Sequence, residues 1–404
     1  MEQSKPSSQQ LSFKEFVALM ALLMSLVALS TDAMLPALQV MGEDLSVASF
    51  QDIQLVVTIL FLGMAIGQFF YGPLSDQIGR KKGIYIGLIL FILGSILSWF
   101  AEDFSTMLAG RFLQGLGAAG SKIVVVAMIR DLFAGASMAR VMSFIMGVFI
   151  LVPVLAPAMG QAIFLLWGWR AIFFSFILLG LLGGLWLAIR QRETLLPERR
   201  ILVTPSNLWD GTCQTFRTPT ALGYMLASGI IFGPFVGYLS SAQQIFQSVY
   251  GVGQAFPYYF AALALSIGLA SMLNGRIVMS IGMVPLVRIA LTTSTVVAAA
   301  FLTASYFYDF VPPFGLFVVS FILLFFANGI LFGNLNSLAM EDVGEIAGIA
   351  SAIIGAISTF LAMFIAWIIG RFYDETLLPL TVAFVISGLL TLFIVKRVTA
   401  LERQ

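Results

Sequence analysis

Twelve long apolar runs leave this chain little choice of architecture. They lie near 15–38, 53–72, 83–100, 105–129, 142–165, 171–189, 220–246, 255–275, 284–307, 312–337, 346–369 and 377–395. A helix needs about 20 predominantly apolar residues to cross a bilayer, and each run is close to that length. The runs mix Leu, Ile and Phe with Gly, Ala and Ser, the small residues that let membrane helices approach closely. They lack the period-two alternation of a membrane β-barrel. Only 10% of the residues are charged and mean hydropathy is +1.00, where a soluble domain carries about 25% charge. The expected fold is an all-α membrane protein of twelve transmembrane helices.

Lys and Arg set the expected orientation, because they accumulate on cytoplasmic segments. With the N-terminus in the cytoplasm, the inner segments hold Lys5, Lys14, Arg80, Lys81, Lys82, Arg130, Arg140, Arg190, Arg192, Arg276, Arg288, Lys396 and Arg403, among others. The outer segments hold only Arg170 and Arg371. Both termini are therefore expected in the cytoplasm. The longest inner loop, 190–218, divides the spans six and six, giving an N-terminal half 1–189 and a C-terminal half 219–404. Two such halves joined by a linker are a known transporter plan. A weak internal repeat agrees with it: Gly72 and Gly79 follow span 2 as Gly275 and Gly282 follow span 8, with Ile78 and Ile281 before the second glycine.

Composition also excludes functions. A net charge of +1 gives no case for nucleic acid as a partner. A single cysteine, Cys213, rules out an intrachain disulfide and a Cys-based metal cluster. There is no histidine, so proton work near neutral pH falls to carboxylates. No Gly-x-x-x-x-Gly-Lys-Ser/Thr phosphate loop is present. An enzyme is not expected, and no cofactor or metal is called for.

One carboxylate stands out. Asp32, in Ser30-Thr31-Asp32-Ala33-Met34-Leu35-Pro36, lies well inside an apolar run. An ionised acid there costs roughly 2.5–3.5 kcal/mol on insertion scales and is a functional candidate by default. Arg111 lies about 9 Å inside span 4, at the depth Asp32 reaches in span 1, at 1.5 Å per residue. An Asp32–Arg111 pair is geometrically open to the chain; the alternative role is a fixed tie between the two spans. Lys122 shares a helix face with Arg111, Gly115 and Ala118. That pattern suggests a shallow groove with a cation at each end, and Lys122 either lines a cavity or snorkels to the inner surface. The second half offers polar rather than charged candidates: Tyr238, Ser240, Ser241, Gln243 and Gln244 in span 7, and Asn328, Asn334 and Asn336 in span 10. These either contact a ligand or bridge helices.

Several motifs bear a family resemblance. Gly72-Pro73-Leu74-Ser75-Asp76-Gln77-Ile78-Gly79-Arg80-Lys81-Lys82 resembles the signature loop of the major facilitator superfamily, with Gln77 where a basic residue is usual. Arg111-Phe112-Leu113-Gln114-Gly115-Leu116-Gly117 resembles the span 4 motif of the drug:proton antiporters in that superfamily. Pro153-Val154-Leu155-Ala156-Pro157-Ala158-Met159-Gly160 resembles their span 5 antiporter motif, with Ala156 and Gln161 at positions where glycine is usual. Asp32 and Pro36 in Asp-x-x-Leu-Pro-Ala-Leu look like the span 1 signature of the Bcr/CflA subfamily (bicyclomycin and chloramphenicol resistance).

The resemblance implies a proton-coupled exporter of small amphipathic compounds or drugs in a bacterial inner membrane; a single chain of this design suffices for transport, so a monomer is expected. Its partners would be protons, a small-molecule substrate and the lipid bilayer. Burial and matching depth make Asp32 with Arg111 the expected proton-coupling site, and the resemblance implies Gly72, Asp76, Gly79, Arg80, Lys81 and Arg130 as an inner gate. In that gate Asp76 would pair with Arg130, and Arg80 or Lys81 with Asp131, Glu341, Asp342 or Glu345. Pro153, Pro157 and Gly160 would form the antiporter motif. Candidate substrate contacts are Lys122, Gln114, Gly115, Tyr238, Gln243 and Asn328. The alternative is a dedicated exporter of one anionic metabolite, such as a carboxylate siderophore, for which Arg111 and Lys122 are the only hint.

Overall fold

A computed structural model describes residues 11–49, 51–133, 135–200 and 204–401. Lys5 and Arg403, used above for orientation, lie outside the described residues, as does the side chain of Glu345. Fourteen α-helices account for most of the described chain, and no strand occurs among the described residues. Twelve helical segments are long and apolar enough to cross a membrane.

The first crossing is broken. α1 (Phe13–Asp32) is followed by a 3₁₀ turn (Leu35–Ala37) and the short α2 (Leu38–Asp44). Then come α3 (Leu55–Ile78), α4 (Arg80–Trp99), α5 (Phe104–Leu132), α6 (Gly135–Trp167) and α7 (Arg170–Arg190). The segment expected as a loop contains a helix, α8 (Pro205–Arg217). Its sequence carries the signals for one: Thr204 caps it by accepting from the Asn207 N–H at 3.2 Å, and Pro205 occupies its first turn, where a missing N–H costs nothing. The remaining crossings are α9 (Pro219–Gln243), α10 (Phe256–Ile281), α11 (Met283–Tyr306), α12 (Phe314–Met340), α13 (Ala347–Arg371) and α14 (Leu378–Leu401). α9 runs on into a π-helical turn over Gln244–Val249.

The end of the bundle that carries α8 and the start of α1 is called here the linker end, and the opposite one the far end. At the linker end, α3 turns into α4 at Gly79 and α10 into α11 at Gly282, with φ of +104° and +86°. Left-handed φ favours glycine, and both members of the sequence repeat meet the same requirement.

Small residues carry the helix packing. Gly87, Gly94, Gly110 and Gly117 bring α4 and α5 into backbone contact, and Gly63, Gly67 and Gly115 do the same for α3 and α5. In a membrane this close approach gives van der Waals contact that larger side chains would prevent. The first six spans meet the last six chiefly where α3 lies along α13 and α6 along α10.

Candidate functional site

The break in the first crossing follows from Pro36. Proline has no N–H and its ring clashes with the carbonyl four residues earlier, which here belongs to Asp32. The helix therefore ends at Asp32, and carbonyls of its last turn lose helical partners. Irregular backbone at membrane depth is tolerated where protein surrounds it, and it is surrounded here: Asp32 is 4% exposed.

Arg111 repairs this break. Its guanidinium donates from Nη2 to the Ser30 carbonyl at 2.7 Å and from Nε to the Val56 carbonyl at 3.1 Å. Nη1 donates to Gln114 Oε1, and Gln114 Nε2 donates to Ser95 Oγ at 2.8 Å. The cation also lies 5.8 Å from the centre of the Phe173 ring. Arg111 is completely buried and makes no salt bridge to Asp32 among the described residues. Matching depth suggested an ion pair. The structure instead places the cation at the C-terminus of α1, where carbonyl dipoles favour positive charge. Gln114 is likewise engaged in this network.

Gly160 supports the same break from the other side. A Cβ at this position would overlap the Ala33 carbonyl oxygen, so α6 rests directly on the backbone next to Asp32. Pro153 and Pro157 lie within α6, which stays helical through both. The usual glycine positions are filled by Ala156, fully buried, and Gln161, whose Nε2 reaches the Gln254 carbonyl at 3.4 Å.

The Asp32 carboxyl has neither a hydrogen bond nor an ion pair among the described residues. The hydroxyl of Tyr238, on α9, is buried without a hydrogen-bond partner, and its ring packs against Phe260, Phe321 and Phe325. On α12, Asn328 is completely buried and both carboxamide atoms lack partners. Phe325 and Phe332, on the same face as Asn328, pack on Phe235 of α9. Buried polar groups are normally satisfied, so Tyr238 and Asn328 are two exceptions facing one aromatic region.

Lys122 is half-buried. It has no hydrogen bond or ion pair among the described residues. The groove expected between Arg111 and Lys122 is closed. A Cβ at Gly115 would overlap the Leu60 carbonyl oxygen and Ala118 is fully buried, so α3 occupies that face.

The linker end is organised around Arg80. Its Nη1 lies 2.5 Å from Asp76 Oδ1, its Nε 2.9 Å from Asp131 Oδ2, and Nη1 also donates to Ser75 Oγ at 2.8 Å. Glu193, which the sequence did not single out, accepts from the backbone N–H groups of Arg80 (2.9 Å) and Lys81 (3.0 Å), at the positive N-terminus of α4. Lys81 Nζ donates to the carbonyl of Gln191 at 2.5 Å. Asp76 turns to Arg80, and Arg130 is exposed, so the expected Asp76–Arg130 pair is not formed. Asp76 approaches the last six spans at the first turn of α13, where its Oδ2 would lie 3.6 Å from a Cβ at Gly348. Gly72 faces Ala352 of α13 at a similar 3.6 Å.

The far end is joined by carboxamides. Gln54 Nε2 donates to Gln244 Oε1 at 2.5 Å, and Gln51 Nε2 to the Tyr373 carbonyl at 3.1 Å. Gln243 Nε2 reaches Gln39 Oε1 at 3.4 Å and Gln247 Oε1 at 2.8 Å. Deeper along the α3–α13 seam, Gln68 Nε2 donates to Thr359 Oγ1 at 3.0 Å. Gln39, Gln51, Gln54 and Gln68 escaped the sequence reading. Gln54 and Gln68 carried the one available signal, a carboxamide inside an apolar run.

Residues 20–366 match the family model described as Major Facilitator Superfamily. The chain is 33% identical over 360 residues to an uncharacterised MFS-type transporter, YdgK, of Bacillus subtilis (strain 168), covering 87% of each chain. It is 29% identical over 377 residues to a bicyclomycin resistance protein homolog of Haemophilus influenzae, covering 92% of this chain and 93% of that one. Among solved structures, the fold superposes on a D-xylose-proton symporter with a TM-score of 0.75 at 15% identity, over 94% of this chain and 97% of that one. A twelve-span bundle with a family match over most of its length belongs to the Major Facilitator Superfamily and is a membrane transporter.

Proposed function

We propose that this transporter is a proton-coupled antiporter that exports small amphipathic compounds, drugs among them, across a bacterial inner membrane. The names of its relatives, a bicyclomycin resistance homolog and a multidrug resistance protein, MdtL, of Vibrio parahaemolyticus, support export of drugs. The observation that carries the proton coupling is Asp32: a buried carboxyl at a helix break, with no hydrogen bond or ion pair among the described residues. A carboxyl without a fixed partner is free to exchange its proton as the surroundings change. Asp32 takes up a proton when open to the outside, which releases substrate, and loses it to the inside. Arg111 holds the α1 backbone that presents the acid.

In this scheme the linker end is cytoplasmic and the far end faces outward. Halves 1–189 and 219–404, linked by 190–218, rock about the site in a monomer. At the inner gate Asp76, held in place by Arg80 together with Gly79, Lys81, Asp131 and Glu193, meets the start of α13, and the glutamine contacts form the outer gate. Tyr238, Asn328 and Lys122 contact substrate; Gln114 and Gly115 support helix packing, and Gln243 belongs to the outer gate. The test is Asp32→Asn in proteoliposomes. Transport driven by a pH gradient is expected to stop while energy-independent substrate exchange continues. Gradient-driven transport at the wild-type rate would overturn the proposal.

A second reading, export of one anionic metabolite, is favoured by Lys122, a cation with no partner among the described residues. A competition panel of matched anionic, neutral and cationic compounds separates the two. If Lys122→Gln weakens only the anionic compounds, the second reading stands; if it weakens all or none, the first does.

A further inference from the structure

Asn328 combines two buried polar atoms that lack partners. It lies on α12, one residue from the middle of the span Phe314–Gly344, and is completely buried. Neither Oδ1 nor Nδ2 has a hydrogen-bond partner among the described residues. At mid-span a bilayer supplies no water to such a group. A leucine would fill similar space without an unpaired donor or acceptor, so the carboxamide points to a partner that comes from outside the chain.

Its surroundings are aromatic and reach the other half. Phe325 and Phe332 lie one turn either side of Asn328 on the same helix face. Phe332 meets Phe232 and Phe235 of α9 at 4.8 and 5.8 Å between ring centres, with its plane at 86° and 69° to theirs. Phe232 and Phe235 stack on each other, their planes 25° apart. Phe232 also lies 6.3 Å from Phe61 of α3, so the cluster sits between the two six-span halves. Phe232, Phe235 and Phe332 stay partly exposed although all three are deep in their spans. Exposed rings in a cluster that touches the opposite half line a space inside the bundle, not the lipid. Flat ring faces hold planar groups by stacking.

A carboxamide offers an acceptor and two donors side by side. A cation would satisfy Oδ1 and leave Nδ2 unpaired; a carboxylate would satisfy Nδ2 and leave Oδ1 unpaired. A neutral group with a donor and an acceptor on neighbouring atoms pairs with both at once, as asparagine does with the edge of adenine. We infer that Asn328 selects substrates by a neutral amide edge, the N–H and C=O of a lactam, imide or primary carboxamide, while Phe232, Phe235 and Phe332 hold the attached ring flat. The inference rests on the export reading above and names the chemistry that this transporter prefers. It is independent of proton coupling.

The test is equilibrium binding to the purified full chain in detergent, with no gradient. The probe is tritiated carbostyril, a planar bicyclic lactam. Its competitors are coumarin, the same shape with a ring oxygen in place of N–H, and naphthoate, a planar anion. Carbostyril is expected to bind about tenfold or more tighter than coumarin, the cost of leaving Asn328 half-paired. Asn328→Leu should bring carbostyril down to the level of coumarin while coumarin binds at least as well as before. Asn328→Ser, which is smaller and still polar, should lose the preference too. Equal binding of the two isosteres by the wild-type chain would overturn the inference whatever the variants do, as would binding of neither at millimolar concentration. A preference that survives both substitutions would mean that another group reads the amide. Tighter binding of naphthoate than of carbostyril would overturn the neutrality. A chain that prefers carbostyril but does not move it on a pH gradient would refute the antiport reading and leave this one standing.

Discussion

Replacing Gln244 by leucine should open the far end, and replacing Gln54 as well should close it again. Gln54 is 2% exposed. Its Nε2 donates to Gln244 Oε1 at 2.5 Å, while its own Oε1 already lacks a partner. In Gln244→Leu the Gln54 carboxamide is left buried with no partner among the described residues. An orphaned polar group of this kind costs about 1–3 kcal/mol. When the far end opens, water satisfies it, so the penalty falls on the closed state alone. The equilibrium then shifts toward opening by about 5- to 160-fold. Adding Gln54→Leu removes the orphan, and replacing both partners of a hydrogen bond by apolar groups of similar shape is nearly neutral. The double variant should move back toward the wild-type distribution.

The assay is a distance measurement between spin labels at Glu102 and Asp374, both exposed at the far end on opposite sides of the α3–α13 seam, in a Cys213→Ser chain. Gln244→Leu should add a longer-distance population that Gln54→Leu then suppresses. If the double variant opens as far as the single one, Gln54 is not the group being penalised and the carboxamide latch is the wrong description. Wild-type distances in Gln244→Leu would mean that other contacts hold this end shut.

Four further outcomes follow from the geometry. Gly160→Val should displace α6 from the Ala33 backbone at an overpacking cost of about 1–3 kcal/mol, read as a lowered thermal midpoint together with impaired gradient-driven transport. Gly79→Ala places a side chain at φ +104° and against Glu193 Oε2; destabilisation beyond about 1 kcal/mol should appear in thermal unfolding, whereas Gly275→Ala, with open space around it, should be mild. Arg80→Met leaves the Asp131 carboxylate, which Arg80 meets at 2.9 Å, with the Thr194 hydroxyl at 3.0 Å but no cation, and protease cleavage within the 190–218 segment should accelerate as that end loosens. Asp103 caps α5 by accepting from the Thr106 hydroxyl at 2.7 Å and from its N–H at 2.8 Å, bonds that hold its carboxyl below the usual carboxylate range. Its contribution is present above the unfolded-state pKa and lost as pH falls through the lowered folded one; Asp103→Asn should flatten the acid side of a melting-temperature profile.

The spans were legible because length and apolarity alone decide them, and the burial of Asp32 was legible because it lies inside such a run. Arg111 was misread for a physical reason. Depth along a helix predicts which side chains can meet, but it ignores backbone carbonyls, and Pro36 had freed carbonyls at the end of α1. The Gly115–Ala118 face was misread because small residues permit either an empty groove or a close helix contact, and only the position of α3 chooses between them. Glu193 could not be found from sequence: nothing in its neighbours says that the chain folds back onto the start of α4. α8 was readable from Thr204 and Pro205, but the charges around it drew attention to topology instead.

The two ends hold the halves together by different chemistry, and the difference bears on how a small input can move the whole molecule. Each of the four salt bridges among the described residues joins groups within the first six spans and their flanking turns. Arg80, with Asp76 and Asp131, therefore stiffens one half rather than tying it to the other. What crosses at the linker end is the approach of Asp76 to the first turn of α13, an attraction to a helix N-terminus worth about 0.3–1 kcal/mol at an exposed site. What crosses at the far end is a set of neutral carboxamide bonds, each contributing about 0.5–1.5 kcal/mol net. Both sets sit beside the packing of α3 on α13 and of α6 on α10, so opening either end also separates packed helices. A ligand or proton shifts the balance only by its own preference for one of the two states. Asp32 lies between the two sets, at a backbone break braced by Arg111 and Gly160, where gaining or losing a proton alters what the closed halves must bury.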